Sequence, residues 1–386
     1  MSEWKTYKLR DVVNILDYKR IPLSSRQREQ RRGKYPYYGA QGIIDYIDDY
    51  IFDGTYLLVA EDGENLRSKK QHIAQLVSGK YWVNNHAHIL ESNGLCDIRY
   101  ICYLLNVFDI SGYITGSAQP KLNQANLLAI EISLPPLAEQ KRIADILSAI
   151  DDKIELNRRI NANLEQQAQA LYKSWFVDNK KDDWKEVPLS EVADFVGGYS
   201  YKGNELVESS MTAMATIKNF ERKGGFKVDG FKDIVASNKL KAEHHANLFD
   251  ILVAHTDLTQ NADVIGNAEM LLTFDKYSDI IFSMDLVKVL PKQTFPYKYL
   301  LAALLKNPHF KKHCMGYVNG TTVLHMSKKA LPEYIVNLPS IEEIQSMDNA
   351  FKAYYLKMAE ILQENNNLST LRDTLLPKLM SGEITL

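Results

Sequence analysis

A basic run between Lys19 and Lys34 is the first stretch whose residue types predict a particular chemistry. Its sequence, KRIPLSSRQREQRRGK, contains seven basic residues and one glutamate, and it leads directly into YPYYGAQG. Arginine and lysine contact phosphates, and aromatic and amide side chains reach base edges, so the run predicts nucleic-acid binding. The expected phosphate contacts are Arg26, Arg28, Arg31, Arg32 and Lys34, with Tyr37, Tyr38 and Gln41 nearer the bases. The alternative is an ordinary solvated loop.

Smaller basic groups occur elsewhere in the chain. They are Lys69 with Lys70, the stretch from Lys218 to Lys223, and Lys239 with Lys241. Each group by itself is more typical of a solvated face than of a site. The whole chain has a formal net charge of −2, which gives no global sign of a nucleic-acid partner, so the prediction depends on local clusters. We keep as DNA-binding candidates Lys69, Lys70, Lys218, Asn219, Arg222 and Lys223.

The sequence offers little that would support metal binding or catalysis. His309 and His313 have helical spacing, but no glutamate follows His309 and no third ligand is evident. The tetrapeptide Asn307-Pro308-His309-Phe310 resembles the Asn-Pro-Pro-Phe/Tyr loop with which amino-methyltransferases hold a flipped adenine. That function would also need a Gly-rich cofactor turn after a strand, which the sequence lacks. We therefore interpret the tetrapeptide as a helix end and predict neither a catalytic residue nor a metal site.

Composition predicts the kind of protein that must position these residues. A chain of 386 residues predicts two or three domains. No apolar run approaches the roughly 18 residues that span a bilayer, and the opening MSEWKTYK has no apolar signal segment. The three cysteines form no metal-ligand pair and leave an odd count, which fits a reducing cytoplasm.

An internal repeat organises the whole chain. The stretch GSAQPKLNQANLLAIEISLPPLAEQ, which begins at Gly116, aligns without a gap with GTTVLHMSKKALPEYIVNLPSIEEI, which begins at Gly320. Trp4-Lys5 likewise recurs as Trp184-Lys185. The offset is 180 at the starts (184 − 4) and 204 at the later stretch (320 − 116), so the second copy has 24 more residues. Such self-similarity predicts a tandem duplication.

Two long helices are predicted to follow the two copies, at about 137–177 and 341–379. Their apolar residues recur with a period near 3.5 to 3.6, and Ser340 with Glu343 forms a capping box at the second start. Neither helix can bury its apolar stripe alone, so we expect them to pack on each other, antiparallel. Asn161 and Asn365 occupy equivalent places within the two stripes.

The parts of the chain before each helix predict two small α/β domains. Both combine short β-branched and aromatic runs with Gly, Asp and Asn turns and one short helix, which indicates a largely antiparallel or mixed sheet. We call residues 1–135 the first segment and residues 181–338 the second segment, with helical regions at 136–180 and 339–386. The predicted fold class is α+β, with two α/β domains in a pseudo-two-fold arrangement, separated by two long antiparallel, coiled-coil-like helices.

With these features in view, the sequence resembles the specificity subunits of type I restriction–modification enzymes over essentially its whole length. The most specific stretches are YPYYGAQGIIDYID, YWVNNHAHIL, TGSAQPKLN, SLPPLAEQKRIADIL and LRDTLLPKLMSGEI. The second segment departs from the first, with GTTVLHMS in place of GSAQPKLN. The resemblance implies that the two segments are target-recognition domains, and it adds as DNA-binding candidates Ser117, Gln119, Lys121, Thr321 and Thr322.

The resemblance also implies the activity and the partners. Such subunits are not catalytic, bind double-stranded DNA at a bipartite, asymmetric site, and assemble with two methyltransferase subunits and with restriction subunits in the cytoplasm of bacteria or archaea. S-adenosylmethionine, ATP and Mg are expected on those partners, with no cofactor on this chain and no membrane partner. The predicted methyltransferase-docking residues are Trp175, Phe176, Leu375, Leu376 and Leu379, for which packing against the segments is the alternative. The competing functions are a coiled-coil adaptor that does not bind DNA and an adenine methyltransferase.

Overall fold

The computed structural model describes residues 4–117, 119–321 and 323–386. Its contacts divide the chain into two compact units, one formed by Met1–Lys153 with Ser369–Leu386 and the other by Ile154–Leu368. The first unit contains the first segment and the second unit contains the second segment. Each unit also contains part of both long helices. The four sequence ranges given above remain a prediction of domain boundaries.

The first segment alternates short strands with short helices. In chain order these are β1 Lys5–Lys8, β2 Val13–Ile15, α1 Ser25–Gln30, β3 Arg32–Gly39, β4 Gly42–Ile47, β5 Phe52–Asp53, β6 Tyr56–Ala60, α2 Asn65–Ser68, β7 Ala74–Val77, β8 Lys80–Val83, β9 Ala87–Ser92, α3 Ile98–Val107, α4 Gln124–Ala129 and β10 Glu131–Leu134. The first long helix, α5, follows at Leu137–Lys173 and ends in a π-helical turn at Ser174–Asp178.

The second segment has the same character, and the second long helix closes the chain. The elements are β11 Lys185–Pro188, α6 Leu189–Val192, β12 Ala193–Gly197, β13 Thr212–Ala215, β14 Lys232–Asp233, β15 Ile251–Ala254, β16 Thr256–Asp257, β17 Ala268–Met270, β18 Asp279–Phe282, β19 Leu286–Pro291, α7 Lys298–Leu305, α8 Pro308–Met315, β20 Val318–Asn319, β21 Leu324–Met326, β22 Ile335–Leu338 and α9 Ile341–Ser381. Single 3₁₀ turns lie at Leu9–Asp11, Asp17–Lys19, Ser111–Tyr113, Gly203–Glu205, Ile217–Asn219, Val228–Gly230 and Ala242–His244.

Strand pairing reproduces the sequence repeat residue by residue. β1 pairs with β10 so that Lys5 faces Leu134, and β11 pairs with β22 so that Lys185 faces Leu338. The members of the second pair lie 180 and 204 positions after those of the first, which are the two offsets read from the sequence. Because the pairing register depends on which face of each strand is buried, this agreement confirms the predicted duplication.

Besides the β1–β10 and β11–β22 pairs, two sheets of each segment have matching strand order, and the second segment has a further sheet, β16-β21-β20. One sheet runs β2-β9-β6-β7 in the first segment and β12-β19-β15-β17 in the second, with all neighbours antiparallel. The other sheet runs β4-β3-β8-β5 in the first segment and β14-β13-β18 in the second. The pairs β3–β8 and β13–β18 are parallel, so the predicted mixed sheets are confirmed.

Much of the extra length of the second segment lies in one connection. β3 and β4 are joined by two residues, Ala40 and Gln41, whereas the matching strands β13 and β14 are joined by 16 residues, 216–231. This connection therefore accounts for 14 (16 − 2) of the 24 additional residues. The arrangement of paired strands is the same in both copies, but the length of this connection differs.

Helix starts are fixed by side chains that accept hydrogen bonds from otherwise unpaired backbone N–H groups. Asp97 caps α3, where its side chain accepts from the backbones of Arg99 and Tyr100. The capping box at the start of α9 is confirmed, because Ser340 Oγ accepts from the backbone of Glu343 and Glu343 Oε2 accepts from the backbone of Ser340.

The long helices pack antiparallel within the second unit. Asn161 Nδ2 donates to the carbonyl of Met358, and Asn365 Nδ2 donates to the carbonyl of Ile154. These contacts are equivalent under the repeat, because 161 + 204 is 365 and 154 + 204 is 358. Asn157 also donates to Asn365 at 2.9 Å. Each amide satisfies a backbone group of the facing helix, so the predicted antiparallel pairing and the predicted place of the two asparagines are confirmed.

The three cysteines are buried in the cores of the two units. Burial raises the pKa of the Cys96 thiol to about 11 and the pKa values of Cys102 and Cys314 to about 12. A thiol that stays protonated is a poor nucleophile, so these cysteines serve packing and not redox chemistry.

Candidate nucleic-acid interface

Three loops of the first segment meet around Gly63. The backbone N–H of Gly63 donates to the carbonyl of Pro120 at 3.1 Å. The guanidinium of Arg67 donates to the carbonyls of Gly116 and Ser117. A Cβ added to Gly63 would lie 3.7 Å from Gln41 Nε2, so the β3–β4 turn also reaches this loop. The arrangement brings together the turn at Gln41, the loop 61–67 and the loop 115–121.

The second segment joins the corresponding three loops by other side chains. Gln260 Nε2 donates to the carbonyl of Thr321 at 2.6 Å, and Thr321 is the repeat equivalent of Ser117. Asn267 Nδ2 donates to the carbonyl of Glu221 at 2.8 Å, within the long β13–β14 connection. The same surface is therefore assembled twice from connections that differ in length and in sequence.

A glycine shapes one of the three loops in each segment. Gly116 has φ +84°, and an added Cβ would lie 2.3 Å from the carbonyl oxygen of Gln119. Gly320 has φ +117°, and its added Cβ would lie 2.3 Å from the carbonyl oxygen of Val323. An L side chain would be strained and would clash at both positions, which explains why the repeat has glycine at both.

A network of charges lies beneath the loops of the first segment. Arg20 donates to the carboxylates of Asp17 (3.1 Å) and Glu61 (2.7 Å), and Lys121 lies 3.2 Å from Glu61. Burial by itself would raise the pKa of Glu61, but Arg20, His88 and Lys121 together hold it below its ordinary value. The network anchors the third loop through Lys121.

The same network contains the one set of potential metal ligands found among the described residues. Ligand atoms of Asp17, Glu61 and His88 lie within 4.8 Å of one another. His88 Nδ1 already contacts Asp17 at 2.5 Å, and its Nε2 contacts the carbonyl of Leu122 at 2.8 Å. Because Arg20 occupies both carboxylates as well, the geometry is that of a salt-bridge network and not of an open coordination site.

The basic run divides into free and engaged side chains. Ser24 and Gln27 form a capping box that starts α1. Arg28 donates to Asp45 at 3.0 Å and Arg31 to Asp48 at 2.9 Å, so both guanidinium groups are engaged by carboxylates and their phosphate contacts stay a prediction. Three members of the predicted set remain exposed: Arg26, Arg32 and Lys34.

The predicted base-contacting residues of the first segment also need correction. Tyr37 is only 1% exposed, and its hydroxyl accepts from the backbone N–H of Leu23, so it belongs to the core and not to a DNA-binding surface. Tyr38 is half-buried and its ring packs edge-on against Tyr81. Gln41 is exposed at the β3–β4 turn, where the prediction placed it.

The remaining candidates of the first segment lie at or beside the three-loop surface. Lys69 donates to the carbonyl of Phe108 at 2.7 Å, so its ammonium group is partly engaged. Lys121 is tied to Glu61, as described above. The others are exposed, namely Lys70, Ser117 and Gln119.

In the second segment one candidate is structural. Asn219 is fully buried, and its side chain accepts from the backbone of Thr216 and donates to the carbonyl of Lys227, so it shapes the connection and is not available to read a base. Arg222 is exposed and lies 3.6 Å from Asp263. Lys218, Lys223 and Thr321 are also exposed, and Thr322 lies outside the described residues.

The suspected adenine-binding tetrapeptide is a helix boundary. α7 ends at Leu305 and α8 begins at Pro308, with Asn307 between them as the N-cap. The carbonyl oxygen of the Asn307 side chain accepts from the backbones of His309 and Phe310, and its NH₂ group donates to the carbonyl of Leu304. Both ends of the amide cap the chain's own helices and Asn307 is only 5% exposed, so the side chain is not presented to a flipped adenine.

Comparison with known proteins relates these observations to a family. The type I restriction modification DNA specificity domain matches residues 1–166. Over the whole chain and the whole relative, the protein is 23% identical to the specificity subunit of the HindI type I restriction enzyme of Haemophilus influenzae. It is also 22% identical to the MjaVIII specificity subunit of Methanocaldococcus jannaschii, over 99% of this chain and 93% of that protein. The first 166 residues therefore match the model of this specificity domain, and the chain is similar over its whole length to specificity subunits of type I restriction enzymes.

Two further similarities to members of this family differ in extent. Another H. influenzae protein that carries the name of a type I restriction enzyme specificity subunit is 36% identical over 148 residues. That match spans 38% of this chain and 37% of the relative. The crystal structure of the S subunit of a type I restriction–modification system from M. genitalium shares the fold, with a TM-score of 0.59 over 98% of this chain and 96% of that one, at 17% identity.

The residues predicted to dock a methyltransferase lie in, or pack against, the cores of this chain. Leu376 and Leu379 are buried with the core of the first segment, and Leu375 packs against it. Phe176 is buried between Tyr172 and Trp184, and Trp175 packs edge-on against Phe351. These side chains are therefore not an exposed docking surface. Packing against the segments, the alternative considered from the sequence, is what the structure has.

Several residues of the candidate interface were missed by sequence reasoning. Arg67 and Gln260 hold equivalent loops, but they share neither residue type nor offset, so the repeat gives no signal for them. Ile43, Ile44 and Tyr46 are exposed on the β3–β4 hairpin. In the part of the chain described here, no helix is long and apolar enough to span a bilayer.

Proposed function

We propose that this chain reads two separate short sequences on one DNA duplex, one with each segment, and that it holds methyltransferase and restriction subunits at that site. The observation that carries the proposal is that the two segments share one arrangement of strands but differ in the loops that these strands hold. The two segments share sheet order and pairing register, but the three-loop surface is built from a two-residue turn in one and a 16-residue connection in the other. Two loop surfaces that differ from each other, held by the same arrangement of strands, fit an asymmetric DNA site with two parts.

The charges around the loops support DNA as the ligand. Arg26, Arg32 and Lys34 are exposed on α1 and β3, which lead to the β3–β4 turn, and Arg222 and Lys223 are exposed within the β13–β14 connection. Exposed cations of this kind neutralise phosphates and release counterions, which supplies affinity without sequence preference. Sequence preference would come from side chains of the loops that reach base edges in a groove.

The helices offer another surface for the methyltransferase in place of the buried residues. On the part of α5 in the second unit, Leu156 and Ile160 are both exposed and lie one helical turn apart. Neighbouring exposed apolar residues on a helix indicate a protein partner. We place part of the methyltransferase contact there. S-adenosylmethionine, ATP and Mg are proposed to bind the partner subunits.

Two other functions make different predictions. A coiled-coil adaptor would assemble with partners but would show no sequence preference for DNA. An adenine methyltransferase would bind S-adenosylmethionine as the isolated chain, which equilibrium dialysis tests directly. The occupied amide of Asn307 argues against the enzyme, and the exposed cations on α1, on β3 and in the β13–β14 connection argue against the adaptor.

The decisive experiment is to map methylated bases. The chain would be expressed with its methyltransferase partner in cells without other methyltransferases, and the DNA would be sequenced by a method that detects modified bases. We expect one motif with two defined parts and a gap of fixed length. The same cells without this chain are the control. Methylation without a motif, or an equal motif in the control, would refute the proposal.

A further inference from the structure

The β3–β4 hairpin exposes apolar side chains on an edge strand. β4 lies at the edge of its sheet, and the relative exposures of Ile43, Ile44 and Tyr46 are 45%, 53% and 51%. Native proteins usually protect sheet edges with charges or a covering element, because exposed apolar edges promote aggregation. An apolar hairpin that remains exposed in the described chain indicates a partner that covers it.

A bulge directs these side chains outward near the turn. Tyr37 pairs with Asp45 and Tyr38 pairs with Ile43, so Ile44 is an extra residue on β4. Bulges re-aim side chains and are frequent beside functional sites. Gly39 faces the bulge, and a Cβ at Gly39 would lie 3.2 Å from a methyl group of Ile44. The bulged Ile44 therefore packs close to a position where glycine leaves space for it.

The charges on the hairpin favour an anionic partner such as DNA over a basic one. Each acidic residue of β4 and the turn after it has a cationic neighbour: Asp45 has Arg28, and Asp48 and Asp49 have Arg31. The neighbouring exposed cations Arg32 and Lys34 thus add positive charge that these ion pairs do not cancel. Positive charge flanking a two-stranded ribbon suits the major groove, which is wide enough to admit such a ribbon.

We infer that the β3–β4 hairpin enters the major groove and reads an A·T base pair in the half-site of the first segment. The exposed amide of Gln41 can make the bidentate pair with adenine N6 and N7, and Ile43 and Ile44 can contact the C5-methyl group of thymine. The inference rests on the proposed function and specifies which chemical groups one half-site presents. The equivalent connection of the second segment presents Arg222 and Lys223 in place of an amide and apolar side chains, so the two half-sites need not share this base pair.

The test uses the chain assembled with its methyltransferase partner and duplexes that carry the mapped motif. Three forms are compared: wild type, Gln41→Ala, and the double variant Ile43→Ala/Ile44→Ala. Leu95→Ala is the matched control, because Leu95 is an exposed apolar residue outside the three loops. Replacing each thymine of the first half-site by deoxyuridine removes only the C5-methyl group. Thermal melting shows whether each variant is folded.

We expect deoxyuridine at one position to weaken wild-type binding about three- to fivefold, roughly the worth of one buried methyl group. The double variant should lose this sensitivity, and Leu95→Ala should keep it. Gln41→Ala should reduce discrimination at the same base pair by about 5- to 100-fold and leave the second half-site unchanged.

Three results would overturn the inference while leaving the proposed function intact. One is a wild-type complex with a defined motif that is insensitive to deoxyuridine throughout the first half-site. Another is an unchanged motif in the folded double variant together with weaker assembly with the methyltransferase, which would make the hairpin a protein-docking surface. The third is a loss of affinity in Gln41→Ala and in the double variant that is equal for all DNA sequences, which would mean that the hairpin reads no base. A wild-type complex with no motif at all would instead refute the proposed function.

Discussion

The ion pairs of Lys306 are expected to stabilise the packing of the second segment against the first long helix. The ammonium group of Lys306 contacts Glu269 on β17 at 2.5 Å and also contacts Glu165 on α5. Glu269 is only 4% exposed, and its other oxygen accepts from the backbone of Gly225. Burial by itself would lower the pKa of Lys306, but the two carboxylates raise it above its ordinary value. The lysine is therefore charged at neutral pH.

The variant Lys306→Met keeps most of the side-chain volume and removes the charge. Glu269 would then be buried without a cationic partner, which costs about 3–5 kcal/mol when one member of a buried ion pair is removed. Glu165 is 31% exposed at the side chain, so its share of the interaction is screened and Glu165→Gln should cost at most about 1 kcal/mol. The double variant Lys306→Met/Glu269→Gln keeps an acceptor for Gly225 and should recover most of the loss.

Hydrogen exchange measured by mass spectrometry separates this effect from the rest of the chain. Amides of α7 that exchange through opening of the second segment should exchange about 140- to 3,700-fold faster in Lys306→Met, because each 1.4 kcal/mol is a factor of ten. Peptides from the first segment provide the internal control. A change below about tenfold in α7, or no recovery in the double variant, would show that the pair does not stabilise the segment as reasoned here.

Three further predictions test other parts of the structure. Gly116→Ala and Gly320→Ala should each impair reading of only one half-site, because each Cβ would clash within only one segment; motif mapping checks this, with Gly112→Ala as a control in open space. The three buried thiols should resist a disulfide reagent at pH 8 in the native protein and react in denaturant, since their pKa values lie near 11 to 12; rapid native reaction would contradict their burial. Arg32→Ala/Lys34→Ala should flatten the salt dependence of DNA binding by about one unit of slope for each lost phosphate contact, without changing the motif; an unchanged slope would assign these side chains to solvent.

The sequence by itself determined the repeat of the two segments and the pairing of the two long helices. The offsets of 180 and 204 identified which residues of the two segments are equivalent, and the Lys5–Leu134 and Lys185–Leu338 pairs of the structure obey the same offsets. The apolar period and the equivalent positions of Asn161 and Asn365 fixed the antiparallel helix pairing. Such features are repeated along the chain and depend on local periodicity, so they can be read without knowledge of distant contacts.

Only the tertiary structure decided which candidate side chains are free. Arg28 and Arg31 lie in a basic run, but the β3–β4 hairpin brings Asp45 and Asp48, each 17 residues later, against them. Tyr37 turned out to be a core residue because it faces α1 and not solvent. A sequence gives the charge and the polarity of a residue, but not the partner that folding places beside it. The same reason explains why the apolar ends of the long helices, predicted to dock another subunit, are buried in this chain's own cores.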